Sequence, residues 1–546
     1  MQSQGHTCRC TTVNNRWTTG SPLLAHFTPR DPPQTFTPAE AVLTSGSFSP
    51  LTTERSLDYV MNHLARAPIS TMKSIPKGVK LAYTRIATKL LSDIANNPAD
   101  PGNSALYYAL PKLLLSRIPK NHPENKGSKM KRKAAQTKYT KSKIQAWTEG
   151  DSNVKEELFT SLLHSCRPAS TPPIKNTSTE QEQREERALI RASQGRLADA
   201  LKALLSLGLA DDNEHVKNLL QEKHPQRDLP NTLPIDPSME YPIKNEDVRK
   251  NMKSFKKGSA SGPDGFHPQY YKDILTGPSD TASNLFVESY VSYAKVVMSG
   301  RLAPEFAQYY TASNLIALKK TDGGIRPIAV GTADARLTSK LLNLLVVDSA
   351  SHYLLPHQVG VKVPGGADSI IHSANKIVME NLLNLDWVSL QLDVFNAFNE
   401  LERANIFKEV FEQIPQALAY VQYKYGQAAA LHMLNGDTLK SSTGLLQGDP
   451  LASMLFALVI HKTILKVQAE VPSLALNVAF LDDWTLTGPI ESVLQAYRII
   501  ATEFPKIGLR INKTKTELWW PNGDIAKWSE FPAEIKRSRL LYTHDA

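Results

Sequence analysis

Two adjacent aspartates, Asp482 and Asp483, interrupt an apolar stretch and constrain the fold more than any other feature of this sequence. Apolar residues precede them at Val478–Leu481, and Trp484 and Leu486 follow. Short apolar runs on both sides favour a tight hairpin, which would place two carboxylates at one point. Adjacent like charges raise each other's pKa, and a bound cation relieves the repulsion. An Asp-rich β-turn without any ligand is the alternative.

A third aspartate ends another predicted strand. The run Val388–Leu392 is apolar enough for a buried strand, and Asp393 follows it directly. The chain then turns toward a helix near Ala397. A carboxylate where a strand meets an irregular segment can be a metal ligand, and an ordinary helix cap is the alternative.

A cationic hairpin is predicted between residues 314 and 330. The apolar runs Asn314–Lys320 and Ile325–Val330 flank a Gly-Gly turn, which is typical of two antiparallel strands. Lys319, Lys320 and Arg326 would then lie near the tip. Fixed cations on a stiff ribbon suit a polyphosphate, although lysines that only solvate a surface hairpin would give the same pattern.

Three further segments carry turn signals. Gly258–Gly265 is a glycine-rich loop. In Gln447–Leu451, Asp449 is expected to cap a helix whose first residue is Pro450. Ile507–Leu518 is predicted as a strand and turn with several lysines.

Positive charge is concentrated in one stretch. The chain has 63 Lys+Arg against 53 Asp+Glu, a formal net charge of +10. Residues 117–143 hold ten basic residues and one acidic residue, a net charge of +9. We predict a basic flexible linker over residues 117–180. It would bind nucleic-acid phosphates, with a nuclear-import signal at Lys131–Lys133, or it would only solvate the chain.

Composition excludes several classes of protein. No apolar run approaches the roughly 18 residues that a membrane span needs, so no membrane contact is expected. Three cysteines (Cys8, Cys10 and Cys166) cannot build a disulfide framework. Residues 1–50 are rich in Thr, Ser and Pro and are predicted to be disordered. We expect an intracellular, reduced protein, located in the nucleus.

Taken in order, the motifs resemble those of reverse transcriptases of the non-LTR retrotransposon type. The matching blocks are Ser261–Gly265, Ile325–Val330, Leu392–Phe398, Gln447–Leu451 and Phe480–Asp483. The resemblance implies an α/β (α+β) fold with the fingers and palm of a right-hand polymerase. The expected segments are a helical segment (51–116), a helical N-terminal extension (181–240), fingers (241–385) and a palm with the catalytic carboxylates (386–518).

The resemblance also implies roles for individual residues. Asp393, Asp482 and the carbonyl of Val394 would hold two Mg²⁺ ions, for which Mn²⁺ could substitute, and Asp483 is the third catalytic carboxylate. Nucleotide contacts are expected from Lys319, Lys320, Arg326, Phe398, Gln447, Gly448 and Lys515.

Four of these contacts have a specific expected purpose. Phe398 would crowd a ribose 2′-hydroxyl, Gln447 would lie against the incoming nucleotide, and Gly448 would admit the template base pair. Lys515 would donate a proton to pyrophosphate, although Lys513 is close in sequence.

The implied activity is RNA-directed DNA polymerisation, in which deoxynucleotides are added to a DNA primer on an RNA template. Only 28 residues follow Leu518, so the thumb is expected to be missing and residues 519–546 to form a truncated tail. This leaves room for a separate chain that supplies a thumb or an endonuclease. The alternatives are a catalytically inactive, truncated or domesticated nucleic-acid-binding remnant, and an RNA-dependent RNA polymerase, which Phe398 disfavours.

Overall fold

Two β-sheets are present in the part of the chain that this computed structural model describes. The strands are β1 (Ser313–Lys319), β2 (Ile325–Gly331), β3 (Trp387–Leu392), β4 (Ala429–His432), β5 (Thr438–Ser441), β6 (Leu476–Phe480), β7 (Asp483–Pro489), β8 (Glu517–Trp519) and β9 (Lys536–Ser538). One sheet has the strand order β2–β1–β4–β5 and the other β6–β7–β3–β8–β9. The mixed α/β class is therefore as predicted.

The structure describes residues 48–66, 69–118, 126–165, 180–381, 383–520 and 529–538. All three cysteines lie outside these ranges, as does the segment predicted to be disordered, apart from residues 48–50. From the predicted tail, residues 519–520 and 529–538 are described.

Strand β3 lies at the centre of the five-stranded sheet, between β7 and β8, and both neighbours run antiparallel to it. Leu392, the last residue of β3, pairs with Trp484 of β7. The chain therefore leaves β3 at Asp393 beside the point where it enters β7 at Asp483. Alternate residues such as Leu390 are buried, as expected for a central strand.

The predicted cationic hairpin is confirmed. Strands β1 and β2 pair antiparallel from Ser313 and Gly331 at one end to Lys319 and Ile325 at the other. Gly323 adopts φ 77° in the turn, a conformation that glycine tolerates and most residues avoid.

Nineteen α-helices complete the described residues. The N-terminal helices are α1 (Leu57–Arg66), α2 (Lys80–Asn96), α3 (Pro101–Leu114), α4 (Lys129–Glu149), α5 (Ser152–His164), α6 (Glu180–Ala192), α7 (Leu197–Leu204) and α8 (Glu214–Glu222). Six helices then precede β3, and the β1–β2 hairpin lies between the fourth and the fifth of them. They are α9 (Asn245–Ser254), α10 (Gln269–Leu275), α11 (Asp280–Met298), α12 (Ala307–Tyr310), α13 (Ala333–Leu354) and α14 (Gly366–Glu380). The last five are α15 (Ala397–Glu400), α16 (Arg403–Gln413), α17 (Leu418–Tyr425), α18 (Ala452–Glu470) and α19 (Ile490–Glu503).

Helices α4 and α5 contradict the flexible linker predicted for residues 117–180. Helix α4 alone runs for 21 residues. Its Ile144 and Trp147, three residues apart, are buried against the N-terminal helices. The prediction is wrong here because so few apolar side chains, placed on one helical face, suffice to dock an otherwise charged segment.

Helix α18 is the one helix among the described residues whose length and composition would allow it to cross a membrane. Within its apolar window 67% is buried inside the protein, where the helix packs against α13, α16 and α19. Its apolar side chains are thus largely covered by protein.

The predicted start of this helix is also wrong. Helix α18 begins at Ala452, and its N-cap position is Leu451 rather than Asp449. The Asp449 carboxylate is buried, 2.8 Å from the Lys424 ammonium, and accepts a hydrogen bond from the Tyr425 hydroxyl. Since removing one partner of a buried ion pair leaves an uncompensated charge, this pair fixes the loop before α18.

Two buried carboxyl groups, Asp264 and Asp334, lie in a tyrosine-rich core. The hydroxyls of Tyr290 and Tyr293 donate to Asp334 at 2.7 and 2.6 Å. Burial raises the pKa of Asp264 to about 7 and that of Asp334 to about 6, because loss of hydration disfavours the charged form. Both groups therefore bind a proton more tightly in the folded chain than in the unfolded chain.

We predict that Asp264 lowers the free energy of unfolding as pH rises from about 4 to about 7. A raised folded-state pKa stabilises the fold below the unfolded pKa, and this contribution disappears as pH passes the folded pKa. Urea unfolding at several pH values should measure this change. The free energy of unfolding of wild type, relative to that of Asp264→Asn, should fall by on the order of 2–4 kcal/mol between about pH 4 and about pH 7. A difference that does not change with pH would contradict the assignment.

Candidate active site

The turn that carries Asp482 has a strained backbone. Phe480 and Asp483 pair at the ends of β6 and β7, so only Leu481 and Asp482 form the loop of this hairpin. Leu481 adopts φ 57°, the left-handed region that glycine and asparagine favour in such turns. A bulky residue held there costs on the order of 1–3 kcal/mol, so surrounding contacts must maintain it.

Gln358 supplies those contacts. Its side chain is fully buried; Oε1 accepts the Leu481 N–H at 2.8 Å, and Nε2 donates to the Leu481 carbonyl at 3.1 Å. The segment around it lies along β6, where the Val359 N–H donates to the Ala479 carbonyl at 2.9 Å. Gly360 allows this approach, because a Cβ there would lie 2.7 Å from the Leu481 nitrogen. One buried amide thus holds both peptide groups of Leu481.

Asp393 is oriented by the segment before β8. The Asn512 side-chain amide donates to Asp393 Oδ1 at 2.7 Å, and the Asn512 N–H donates to the Asp393 carbonyl at 2.9 Å. The hydroxyl of Thr516, also buried, accepts the Asp393 N–H at 3.2 Å. The carboxylate therefore has a fixed position at the end of β3.

The three aspartates lie close enough to repel one another. The pKa of Asp482 is raised by loss of hydration and by the nearby charges of Asp483 and Asp393. Loss of hydration and the charge of Asp393 likewise raise the pKa of Asp483. Arg326 lies near enough to oppose the shift at Asp482. The structure thus brings together all three predicted carboxylates and one predicted cation.

These oxygens fit a hard divalent cation. Within the described ranges, no three His, Cys, Asp or Glu side chains are grouped closely enough to hold a metal between them. Mg²⁺ does not require such a cage, since proteins usually bind it through one or two carboxylates and substrate phosphates. Val394 forms an isolated antiparallel bridge with Ile511 in which Phe395 and Asp393 make the ladder hydrogen bonds. Its own carbonyl is therefore directed away from that bridge.

Lys515 lies across from the cationic hairpin. Its ammonium is 2.8 Å from Asp322 Oδ2 in the β1–β2 turn, and this pairing lowers the pKa of Asp322 to about 2. Asp393 is also near enough to raise the pKa of Lys515. Lys513 instead lies 3.5 Å from Glu534. Of the two lysines that the sequence offered, Lys515 is the one at the carboxylates.

The two lysines of the hairpin have different surroundings. Lys319 lies 3.6 Å from Asp211. Lys320 follows the last residue of β1, and it acts electrostatically, together with Lys515, on Asp322 and Lys223. Arg326 acts on Asp482 and Lys515. Lys320 and Arg326 are therefore the hairpin cations nearest the candidate site.

The remaining predicted residues line the neighbouring loop. The Phe398 ring stacks on Phe456 with centroids 5.0 Å apart and an interplanar angle of 18°. The Gln447 carbonyl accepts the Ala329 N–H of β2 at 3.0 Å. A Cβ at Gly448 would lie 2.5 Å from the Ala329 oxygen, so contact with β2 already requires this glycine. The predicted role of Gly448, to admit the template base pair, is therefore not needed to explain why a glycine occupies this position.

Sequence reasoning missed Gln358, Asn512 and Thr516. Gln358 is 123 residues before the turn that it holds, and nothing in its own segment marks it. Asn512 and Thr516 lie within the predicted segment Ile507–Leu518, whose most conspicuous residues are its lysines. No local pattern shows that such residues meet a strand more than one hundred positions away.

Residues 318–530, which include the three aspartates, match the family described as "Reverse transcriptase (RNA-dependent DNA polymerase)". They form a reverse transcriptase domain. The chain is also 25% identical over 314 residues to the "Retrotransposable element SLACS 132 kDa protein" of Trypanosoma brucei gambiense. This alignment covers 56% of the present chain and 25% of the relative, so the chain spans about a quarter of the relative's length.

We predict that Gln358→Met frees the turn of this domain. The apolar side chain has a similar length but cannot pair with the Leu481 peptide groups, so amide hydrogen exchange at Leu481 should be at least about tenfold faster. Mass spectrometry of exchanged peptides measures this rate.

The matched control is Gln422→Met, because buried Gln422 makes the same pair of bonds to the Leu233 N–H and carbonyl. It should accelerate exchange at Leu233 and leave Leu481 unchanged. Equal exchange at Leu481 in wild type and Gln358→Met would show that the turn does not depend on Gln358.

Proposed function

We propose that this chain is an RNA-directed DNA polymerase of a non-LTR retrotransposon. It would add deoxynucleotides to a primer 3′-hydroxyl while copying an RNA template. The observation that carries the proposal is the meeting of Asp393, Asp482 and Asp483 with Arg326 and Lys515 inside a reverse transcriptase domain.

Asp393, Asp482 and the Val394 carbonyl are the residues that would hold Mg²⁺, or Mn²⁺ in its place. Two such ions lower the pKa of a hydroxyl nucleophile and stabilise the leaving oxygen in an in-line displacement. Asn512 and Thr516 keep Asp393 in place, and outer contacts of this kind maintain metal sites.

The protein's own groups would perform the rest of the transfer. The primer 3′-hydroxyl would release its proton to water, its oxygen would attack the α-phosphorus, and the bond from that phosphorus to pyrophosphate would break. Arg326 and Lys320 would compensate the triphosphate charge, which grows on the departing oxygens. Lys515, protonated beside Asp322 and Asp393, would supply the proton that pyrophosphate takes up.

Selection of deoxynucleotides is assigned to Phe398. The ring is five residues beyond Asp393 and is stacked on Phe456. Because this stacking restricts movement of the ring, it would remain in the space that a ribose 2′-hydroxyl needs. This arrangement favours DNA synthesis over RNA synthesis.

The test is primer extension on a primed RNA template with Mg²⁺, by wild type, Asp482→Asn and the control Asp437→Asn, a half-buried aspartate that pairs with Lys217 away from the site. We predict extension with deoxynucleotides, much less with ribonucleotides, and a loss in Asp482→Asn larger than the ~10–100-fold typical of residues outside the metal shell. The control should match wild type.

Three results would contradict the proposal. Extension by Asp482→Asn at the wild-type rate would remove the metal assignment. Preference for ribonucleotides would indicate an RNA polymerase. Salt-sensitive binding of the primed template without any extension would indicate a nucleic-acid-binding remnant.

A further inference from the structure

Helix α4 presents a dense set of exposed cations that the polymerase chemistry does not use. Its own residues from Lys129 to Lys143 include no acid, and its one acidic residue is Glu149 at the far end. We call the following exposed residues the basic ridge: Lys126, Lys129, Lys131, Arg132, Lys133, Lys138 and Lys141.

The ridge projects from a firmly anchored base. Thr140, Ile144 and Trp147 are buried, and the Lys143 ammonium donates to the Leu113 carbonyl at 2.9 Å and the Ser116 hydroxyl at 2.7 Å. In contrast, every residue from Lys129 to Ala134 is exposed. The cations therefore have fixed helical positions without being part of the core.

The arrangement is electrostatically unfavourable in the isolated chain. Within the described part of the chain, no acidic side chain lies within ion-pair distance of Lys129, Lys131, Arg132, Lys133 or Lys141. Three of these are in the first four positions of the helix, where the helix dipole favours negative charge. Like charges at neighbouring helical positions add to the repulsion. An anionic partner would relieve both effects.

The positive surface continues beyond α4 toward the reverse transcriptase domain. Lys77 precedes Gly78, whose Cβ would lie 3.2 Å from the Lys141 side chain. Exposed Lys73 and Arg117 both act electrostatically on His267, two residues after the glycine-rich loop Gly258–Gly265.

That loop lies at one end of β2, the strand that carries Arg326 near its other end. Gly262 lies against the Gly331–Thr332 end of β2, since a Cβ there would be 2.6 Å from Thr332. Arg326 lies near the other end of this strand, and a seven-residue strand spans roughly 20 Å. The loop and Arg326 therefore lie at opposite ends of β2, and a partner that contacted both would have to be a polymer.

We propose that the basic ridge binds the phosphate backbone of single-stranded template RNA outside the primed duplex. Successive helical residues differ in direction by about 100°, so the cations at 131, 133 and 141 face well-separated directions. A flexible strand can contact several such faces, whereas a rigid duplex would meet one. The identity of the strand as template rests on the proposed function, but the charge argument for a polyanion does not.

The test is equilibrium binding of primed RNA templates with a long or a short single-stranded overhang, measured over a range of salt concentrations. The ridge variant is Lys131→Gln/Lys133→Gln/Lys141→Gln. The matched control is Lys295→Gln/Lys376→Gln/Lys408→Gln, three exposed lysines on α11, α14 and α16.

With the long overhang, the ridge variant should bind about tenfold more weakly than the control, and its salt slope should fall by roughly 2, since each lost single-strand contact removes about 0.7. With the short overhang the two variants should match. A Lys→Arg triple at the same positions should bind as wild type, which separates loss of charge from loss of folding.

Two outcomes would overturn the proposal: equal affinity of ridge and control variants for the long overhang, or an equal loss for duplex DNA that has no single strand. Binding requires no catalysis. A ridge effect in a chain that does not extend primers would leave this proposal standing while contradicting the proposed function.

Discussion

Repulsion among three carboxylates is the constraint around which this structure is organised. Asp393, Asp482 and Asp483 occupy adjoining ends of two strands, and burial strengthens their repulsion instead of relieving it. Left to themselves, these side chains would turn outward to water. The fold therefore has to fix the backbone that carries them.

The turn that carries Asp482 and the strand end that carries Asp393 are each fixed by a different segment that is distant in sequence. Buried Gln358 holds both peptide groups of Leu481, and Asn512 with Thr516 holds Asp393. The antiparallel pairing of β3 and β7 sets the distance between the two sides. Cations come from the β1–β2 hairpin and from Lys515. The ion pair between Lys515 and Asp322, a residue of the hairpin turn, connects the two. Polar contacts between residues far apart in sequence thus hold the three carboxylates and the nearby cations in one small region.

Sequence predicts the local parts of this arrangement and not the connections between them. The Gly-Gly turn between apolar runs gives the hairpin, and apolar runs before Asp393 and around Asp482 give their strands. Gln358 could not be found in this way, because only tertiary contact assigns its role. Composition gave a wrong prediction for α4, where Ile144 and Trp147 dock a charged helix. The capping pattern gave a wrong prediction for Asp449, whose carboxylate pairs with buried Lys424.

The most direct test of the account is Mn²⁺ binding, measured by electron paramagnetic resonance with primed RNA template and a deoxynucleotide present. We expect wild type to bind two ions, Asp482→Asn and Asp393→Asn each to lose most of this binding, and Asp437→Asn to retain it. Unchanged Mn²⁺ binding in both active-site variants would contradict the claim that these strand ends are held together to bind metal.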